Sequence, residues 1–393
     1  MIEGPASSHL SDEERLSRLQ LAQSDNIGPA TYHQLLEIYG SAEEALAALP
    51  ELAAGITRGR RIKLYSRERA ANDFARTQAL GGQILVHGDA AYSHLLAQTG
   101  NPPPILFVAG RVELLQQPTC AIVGSRNSSA NGKRFARDVA TGLGQSGWHT
   151  VSGMARGIDT AAHEASLDQG TIAVMATGLD VIYPPENAGL HAQIAAQGCI
   201  VSEMPAGTQP RADLFPRRNR IIAGLSAGVV VVEAALRSGS LITARLANEI
   251  GRDVFAAPGS AYDPRSAGTN KLIQDGAMLI TSHRDVVDML DRGHLYAGIV
   301  SADMPLRQGA VDEAATLLKT SDENGGTGSA GDRMVDDAHR QVVLDLLGPA
   351  PVEIDVIVRE AGFSARLVQM VMMELDLAGR LERHPGQRVS LLV

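Results

Sequence analysis

The spacing of apolar and polar residues changes rhythm along the chain, and each change predicts a different kind of element. From about Leu10 to Leu80 apolar positions recur at helical intervals in LSRLQLA, ATYHQLLEIYG and SAEEALAAL, broken at Asn26-Ile27-Gly28-Pro29 and at Gly40-Ser41. A connecting region follows, ILVHGDAAYSHLLAQTGNPPPILFVAG, with strand-like pieces around a triple-proline break. From Cys120 short apolar runs (AIVG, HTVSG, TIAVMATG, CIVSE, GVVVVEAA, DVFAAPG, AMLI) alternate with longer helical stretches. That alternation is the signature of a parallel sheet with helices on both faces, which binds ligands at the carboxyl ends of its strands. Beyond Leu290 the chain turns polar and Gly-rich through SDENGGTGSAGD, as a flexible linker does. Three helical stretches and a hairpin turning at Pro385-Gly386 close the sequence and predict a winged helix. The expected organisation is therefore an N-terminal helical domain (1–80), an α/β domain with its connecting segment (81–298), an acidic Gly-rich linker (299–338) and a winged-helix domain (339–393).

The Ile27-Gly28-Pro29 turn fits two descriptions. It is either a helix-hairpin-helix, whose amides can hold a DNA phosphate, or a plain helical break in which Gly28 is a cap and Pro29 opens a helix.

Composition narrows the class without naming a function. With 393 residues, 44% hydrophobic and 20% charged, the chain is long enough for two or three domains of ordinary globular make-up. Two cysteines, Cys120 and Cys199, make neither a disulfide framework nor a Cys-x-x-Cys motif, which suits a reducing cytoplasm. Both are expected to be buried at strand starts. No apolar run reaches membrane-spanning length and the first residues lack a signal-type apolar segment, so no membrane partner is expected. A net charge of −9 argues at first against a nucleic-acid partner, but eight acids and only three bases lie between Ser301 and His339. From Cys120 to Leu290 the two signs balance at fifteen each, so a basic site there must come from local clustering.

Candidate chemistry gathers in four segments at the expected strand ends. The first, VGSRNSSANGKR, imitates a phosphate loop but fails twice as a Walker motif. Asn127 stands where the first glycine belongs, and Arg134 replaces the hydroxyl residue. It fails the dinucleotide fingerprint too, because Gly124 is followed by Ser125-Arg126-Asn127. What remains is a strand, a small-residue turn tipped by Arg126 and a helix N-terminus, an arrangement expected to hold a phosphate or a carboxylate. The second is SGMARGID, with Ser152, Gly153, Arg156, Gly157 and Asp159. The third, FPRRNRIIAGLS, is read as a loop with Arg217, Arg218, Asn219 and Arg220 beside a stacking residue, Phe215. The fourth is the turn Ser238-Gly239-Ser240 into another helix. Together they describe an amide-rich electropositive cleft suited to a single-stranded sugar-phosphate backbone. Each has a duller reading: glycine turns occur in every doubly wound sheet, and the arginines could be a solvated helix face or partners of Asp213. Asp159 and His163 stand at metal-ligand spacing but lack a third ligand, so Asp159 is read as a helix-start residue and His163 as structural. No metal, cofactor or catalytic residue is expected, and no enzymatic activity.

VGSR, SGMARGID, GTIAVMATGLDVIYP, FPRRNRIIAGLS, EAALRSGSLITA, GRDVFAAPG and GTNKLIQDGA, in this order, resemble the signature blocks of the bacterial DNA-processing protein A (DprA/Smf) family. The resemblance covers roughly Cys120 to Leu290. It implies an extended Rossmann-like domain flanked by a helix-hairpin-helix or SAM-like domain and a winged helix. It also implies single-stranded DNA binding, a homodimer, and loading of the RecA recombinase in natural transformation. By the same resemblance Arg126, the SGMARGID loop, the FPRRNR segment and Asn270-Lys271 would line the DNA pocket. One departure is Pro185, where many relatives carry a base after Tyr-Pro. A rival class is similar to the lysine decarboxylase-like phosphoribohydrolases, but their PGGxGTxxE run is absent here, where Glu233 is followed by AALRSGSLITA. A third reading is a scaffold with no DNA affinity. The winged helix is expected to have a protein-contact or accessory role, with Arg380, Arg383 and Arg388 as its phosphate contacts, since its third helix offers Arg366 against Glu374 and Asp376.

Overall fold

A computed structural model of the chain describes residues 10–54, 63–292, 335, 337–384 and 386–392. They fall into two units, one holding residues 10–47 and 63–290 and the other the remainder.

The described residues begin with helices α1 (Asp12–Ala22), α2 (Pro29–Tyr39), α3 (Ala42–Ala54), which crosses from the first unit into the second after residue 47, and α4 (Arg67–Ala79). Ser11 caps α1 by accepting from the Glu14 amide at 3.2 Å, and three acids fill its first turn, where they oppose the helix dipole. Gly28 is the N-cap of α2 and Pro29 its first residue, where a missing N–H costs nothing.

Strands β1 (Gly82–Val86) and β2 (Ile105–Gly110) flank a short helix α5 (His94–Ala97). The regular alternation then runs β3 (Thr119–Val123), α6 (Ala130–Gln145), β4 (His149–Ser152), α7 (Ile158–Ser166), β5 (Thr171–Met175), α8 (Ala188–Gln197) and β6 (Cys199–Ser202). It continues through α9 (Leu214–Gly224), β7 (Gly228–Val231), α10 (Gly239–Glu249), β8 (Asp253–Ala256), α11 (Ala267–Gln274) and β9 (Met278–Leu279), with a further helical stretch at 283–292.

The nine strands form one sheet in the order β1-β2-β6-β5-β4-β3-β7-β8-β9. Strands β3 to β9 are mutually parallel, while β2 runs antiparallel to both β6 and β1. The strand-like pieces of the connecting region thus extend the sheet. Alternate residues of β3 serve opposite faces. Ala121 and Val123 join Ile221, Ile222, Ala244 and Ala247 of α9 and α10, whereas Cys120 and Ile122 join Val139, Leu143, Ile158 and Ala162 of α6 and α7. Both cysteines are buried free thiols, in β3 and β6. Leu19 and Ala70 of the N-terminal helices share a core with Ile84, Val86, Ile105 and Phe107, so α4 and β1 pack together across the boundary expected at 80/81.

The segment Leu214–Gly224, expected as a loop, is helix α9. Leu214, Ile221, Ile222 and Leu225 recur at helical spacing on a buried face, and Pro216 is tolerated because it lies in the first turn.

In the second unit, helices Asp337–Leu346, Ile354–Ala361 and Ala365–Leu377 pack with a three-stranded sheet, β10 (Val352–Glu353), β12 (Arg388–Leu391) and β11 (Leu381–His384) in that spatial order. This is a winged helix. The linker expected over 299–338 lies outside the described residues apart from 335, 337 and 338. No helix among the described residues is long and apolar enough to cross a membrane.

Candidate nucleic-acid interface

The strand order reverses between β3 and β7: the chain winds from β3 toward β6, then crosses back to start β7 on the other side. The two loops leaving these neighbours diverge and open a crevice at the carboxyl ends, the usual ligand position in such sheets. Ser125-Arg126-Asn127 follows β3, and the turn at 235–240 follows β7.

The crevice is a cleft of about 470 Å³. Gly124, Ser125, Arg126 and Asn127 form one wall, and Phe215, Pro216 and Asn219 of α9 form a second. A third consists of Arg237, Ser238, Gly239, Ser240 and Thr243 at the start of α10. The Arg126 guanidinium lies 5.3 Å from the Phe215 ring centroid, a cation–π distance, and the Tyr183 ring is 5.6 Å from Phe215 on another side. Tyr183 keeps 42% of its surface exposed, and its ring is tilted against that of Phe215. Ser238 caps α10, its hydroxyl accepting from the Ser240 amide at 3.3 Å.

Beneath the walls lie Asp159 and Arg218. Arg218 is buried at 6% exposure and donates through Nη1 to the carbonyls of Gly153 and Val174, the latter at 2.6 Å. A Cβ at Gly153 would force the guanidinium out of this place. Burial lowers the Arg218 pKa to about 10, opposed by nearby Asp159, so the group stays charged at neutral pH. Burial pushes the Asp159 carboxyl up to about 6 against the attraction of Arg218 and a 3.2 Å hydrogen bond from the Ala155 amide. His163 behind it is buried, bonded to Thr171 at 2.8 Å and driven by burial down to about 3, which makes it a neutral structural group. Among the described residues no cluster of three metal-ligating side chains exists.

The helix N-terminus after Arg126 already holds an anion, and it is the protein's own. Glu233, from the end of β7, accepts from the Ser129 amide at 2.9 Å and from its hydroxyl at 2.5 Å, while Ser129 accepts from the Gly132 amide at 2.9 Å. The anionic ligand expected at this turn is replaced, at the Ser129 amide and hydroxyl, by an internal carboxylate. Gly157, at φ +82°, supports the other side of the turn, where a Cβ would strike the Ser125 carbonyl.

Several residues expected in the DNA site stand elsewhere or act from below. The Ser152 hydroxyl is buried and donates to the Ile122 carbonyl at 2.6 Å. Arg156 is ion-paired to Glu186. Arg217 is exposed on α9 outside the cleft, and Arg220 turns away to Glu203 and, at 3.2 Å, the Asn101 carbonyl. Asn270 bridges the amide and carbonyl of Gly259, Lys271 pairs with Asp275 at 2.6 Å, and neither lines the cleft. The sequence did not single out Arg237 and Thr243, which line the cleft, and Asn127 stood out only as a failed Walker glycine and Glu233 only against the rival hydrolase pattern. Arg237 and Glu233 both sit in the quoted EAALRSGSLITA block, so that block was the available signal.

Comparison with known proteins agrees across the chain. The family model described as DNA recombination-mediator protein A matches residues 83–291. This chain belongs to the DNA-processing protein A (DprA/Smf) family. Further models match at residues 12–75, a DprA-like N-terminal HHH domain, and at 330–387, a DprA winged helix domain. The Protein Smf of Synechocystis is 33% identical over 404 residues, covering 96% of this chain and 99% of that protein. The DNA processing protein DprA of Streptococcus pneumoniae is 49% identical over 201 residues, 51% of this chain and 71% of its own. The X-ray structure of DprA from S. pneumoniae matches with a TM-score of 0.59 at 38% identity, covering 71% of this chain and 98% of that one. That of the Helicobacter pylori DNA processing protein A, reported for its single-stranded DNA binding mode, matches with a TM-score of 0.50 at 31% identity over 54% of this chain and 96% of its own.

Proposed function

We propose that this DprA-family protein binds single-stranded DNA in the cleft at the β3/β7 crevice, serving DNA uptake and recombination in natural transformation. The observation that carries the reading is the Arg126–Phe215 cation–π pair in one cleft with the N-terminus of α10. A cation beside aromatic faces suits alternating phosphates and unstacked bases, and a duplex presents no free base face to such rings. The H. pylori relative supports the same ligand class. Within the cleft Arg126 and Arg237 would hold phosphate, Phe215 would stack on a base, and Ser238, Gly239 and Ser240 would offer polar groups. Asp159 and Arg218 would support the floor.

The reading is non-enzymatic. The rival hydrolase would depend on Glu233, whose carboxylate is committed to Ser129. A homodimer is supported by the β9 end of the sheet, where Met278, Leu279 and Met289 are 37%, 47% and 37% exposed. Loading of RecA rests on the family resemblance. A mobility-shift titration with oligo-dT against a duplex of equal length tests the central claim. Preference for the single strand is expected; equal affinity, no affinity, or release of base from nucleoside monophosphates dependent on Glu233 would overturn it.

A further inference from the structure

Glu233 is 9% exposed at the edge of a cleft read as holding a polyanion, where an acid is electrostatically unwelcome. It sits there because β7 is the hydrogen-bonded neighbour of β3, so the residue after β7 faces the turn after β3. Its two oxygens occupy the Ser129 amide and hydroxyl, and a Cβ at Gly132 would lie 2.5 Å from its carboxyl carbon, so α6 is shaped around it. On the opposite side Gly157 presses against Ser125, Arg126 and Ser128. The turn that carries Arg126 is therefore held between Glu233 and the start of α7.

We infer that Glu233 is a positioning residue for DNA binding: it occupies the anion site at the N-terminus of α6 as an internal stand-in for phosphate and so fixes the turn that aims Arg126 into the cleft. The inference rests on the single-strand reading of that cleft. Two consequences follow. An external phosphate at the α6 terminus would have to compete with Glu233 for the Ser129 amide and hydroxyl, which favours Arg126 as the contact on this wall. Without Glu233 the turn that carries Arg126 would be held from the α7 side alone, and DNA binding would then have to order it.

The test uses the full-length chain with Arg126→Ala, Glu233→Ala and the double variant, titrated with oligo-dT across a salt series. Glu233→Ala should weaken binding about as much as Arg126→Ala, on the order of tenfold or more. The double variant should bind within about threefold of Arg126→Ala alone, since the two act as one unit. The salt slope should flatten by about 0.7 in Glu233→Ala although no base has been removed, which a general loss of fold stability would not produce. Should Glu233→Ala fail to fold, Ser129→Ala, which removes the hydroxyl half of the clamp, must show the same non-additivity with Arg126→Ala. Wild-type or tighter binding by Glu233→Ala, or losses that multiply in the double variant, overturns the inference alone. Oligo-dT binding that Arg126→Ala leaves unchanged overturns the reading of the cleft and the inference with it.

Discussion

Arg126 is exposed at the tip of its turn and rests on Phe215, so its charge faces the cleft with little desolvation to lose. Arg126→Ala is expected to cost about 1.5–3 kcal/mol, or roughly ten- to a hundredfold in oligo-dT affinity, and to flatten the salt slope by about 0.7. Lys133 and Arg134 point outward from α6, Arg134 toward Asp138 at 3.9 Å, so Lys133→Ala should bind like wild type and ATP should not compete. ATP competition with loss of binding on Lys133→Ala would restore a nucleotide loop. Asp159 offers a different readout. Its folded pKa, about 6, lies above the ordinary 3.8, so the folded chain binds more protons between those values and this group's contribution to stability falls as pH rises through the window. His163, held down to about 3 from 6.5, works in the opposite direction over an overlapping range. Asp159→Asn isolates the first effect: the variant should gain thermal stability relative to wild type as pH rises through about 6, with the difference shrinking toward pH 4. A pH-independent difference in melting temperature would show that burial does not control this carboxyl.

Two acids of the winged helix are engaged in ion pairs within the domain. In helix Ala365–Leu377, Glu374 is buried against Arg340 at 2.8 Å, and Asp376 holds Arg383 of the wing at the same distance. Of the three wing arginines expected as phosphate contacts, Arg383 pairs with Asp376, and the side chains of Arg380 and Arg388 are exposed. Arg366 is the only base on a helix that would enter a major groove. A chain ending at Gly331 should keep oligo-dT affinity within about tenfold of full length, measured by the same titration; a larger loss would assign DNA contact to this domain. Elements were legible where periodicity was unambiguous: the seven parallel strands and helices α6, α7, α8 and α10 follow directly from the alternation, whereas α11 was not singled out as a helix. Segment 214–224 was not legible as one either, because its run of bases masks the apolar face of Leu214, Ile221 and Ile222. The antiparallel pairing of β2 with β6 joins residues some ninety positions apart, which no local pattern encodes. Of the four segments singled out, the turn after β3, the 215–219 part of α9 and the start of α10 line one cleft, yet spacing alone could not tell Arg126, which lines it, from Arg220, which turns to Glu203.

At the scale of the whole molecule, the sheet ends in a two-residue strand, β9, with apolar side chains beside a helical stretch that exposes Met289. A second copy covering this end would remove both the open edge and the patch. Light scattering at micromolar concentration should report a dimer, and Leu279→Arg should shift it toward monomer; a wild-type monomer throughout would contradict the proposed assembly. The β3/β7 neighbourhood also has a consequence in time. Ser129 and Glu233 are 104 residues apart in sequence, and β7 can join β3 only after the chain has passed through β4, β5 and β6. Closing so long a loop is slow relative to forming helices and nearest-neighbour strands. In refolding from denaturant the helical circular dichroism signal should therefore recover before oligo-dT binding does. On a ribosome, a nascent chain that ends before β7 would lack the cleft however well its first half had folded.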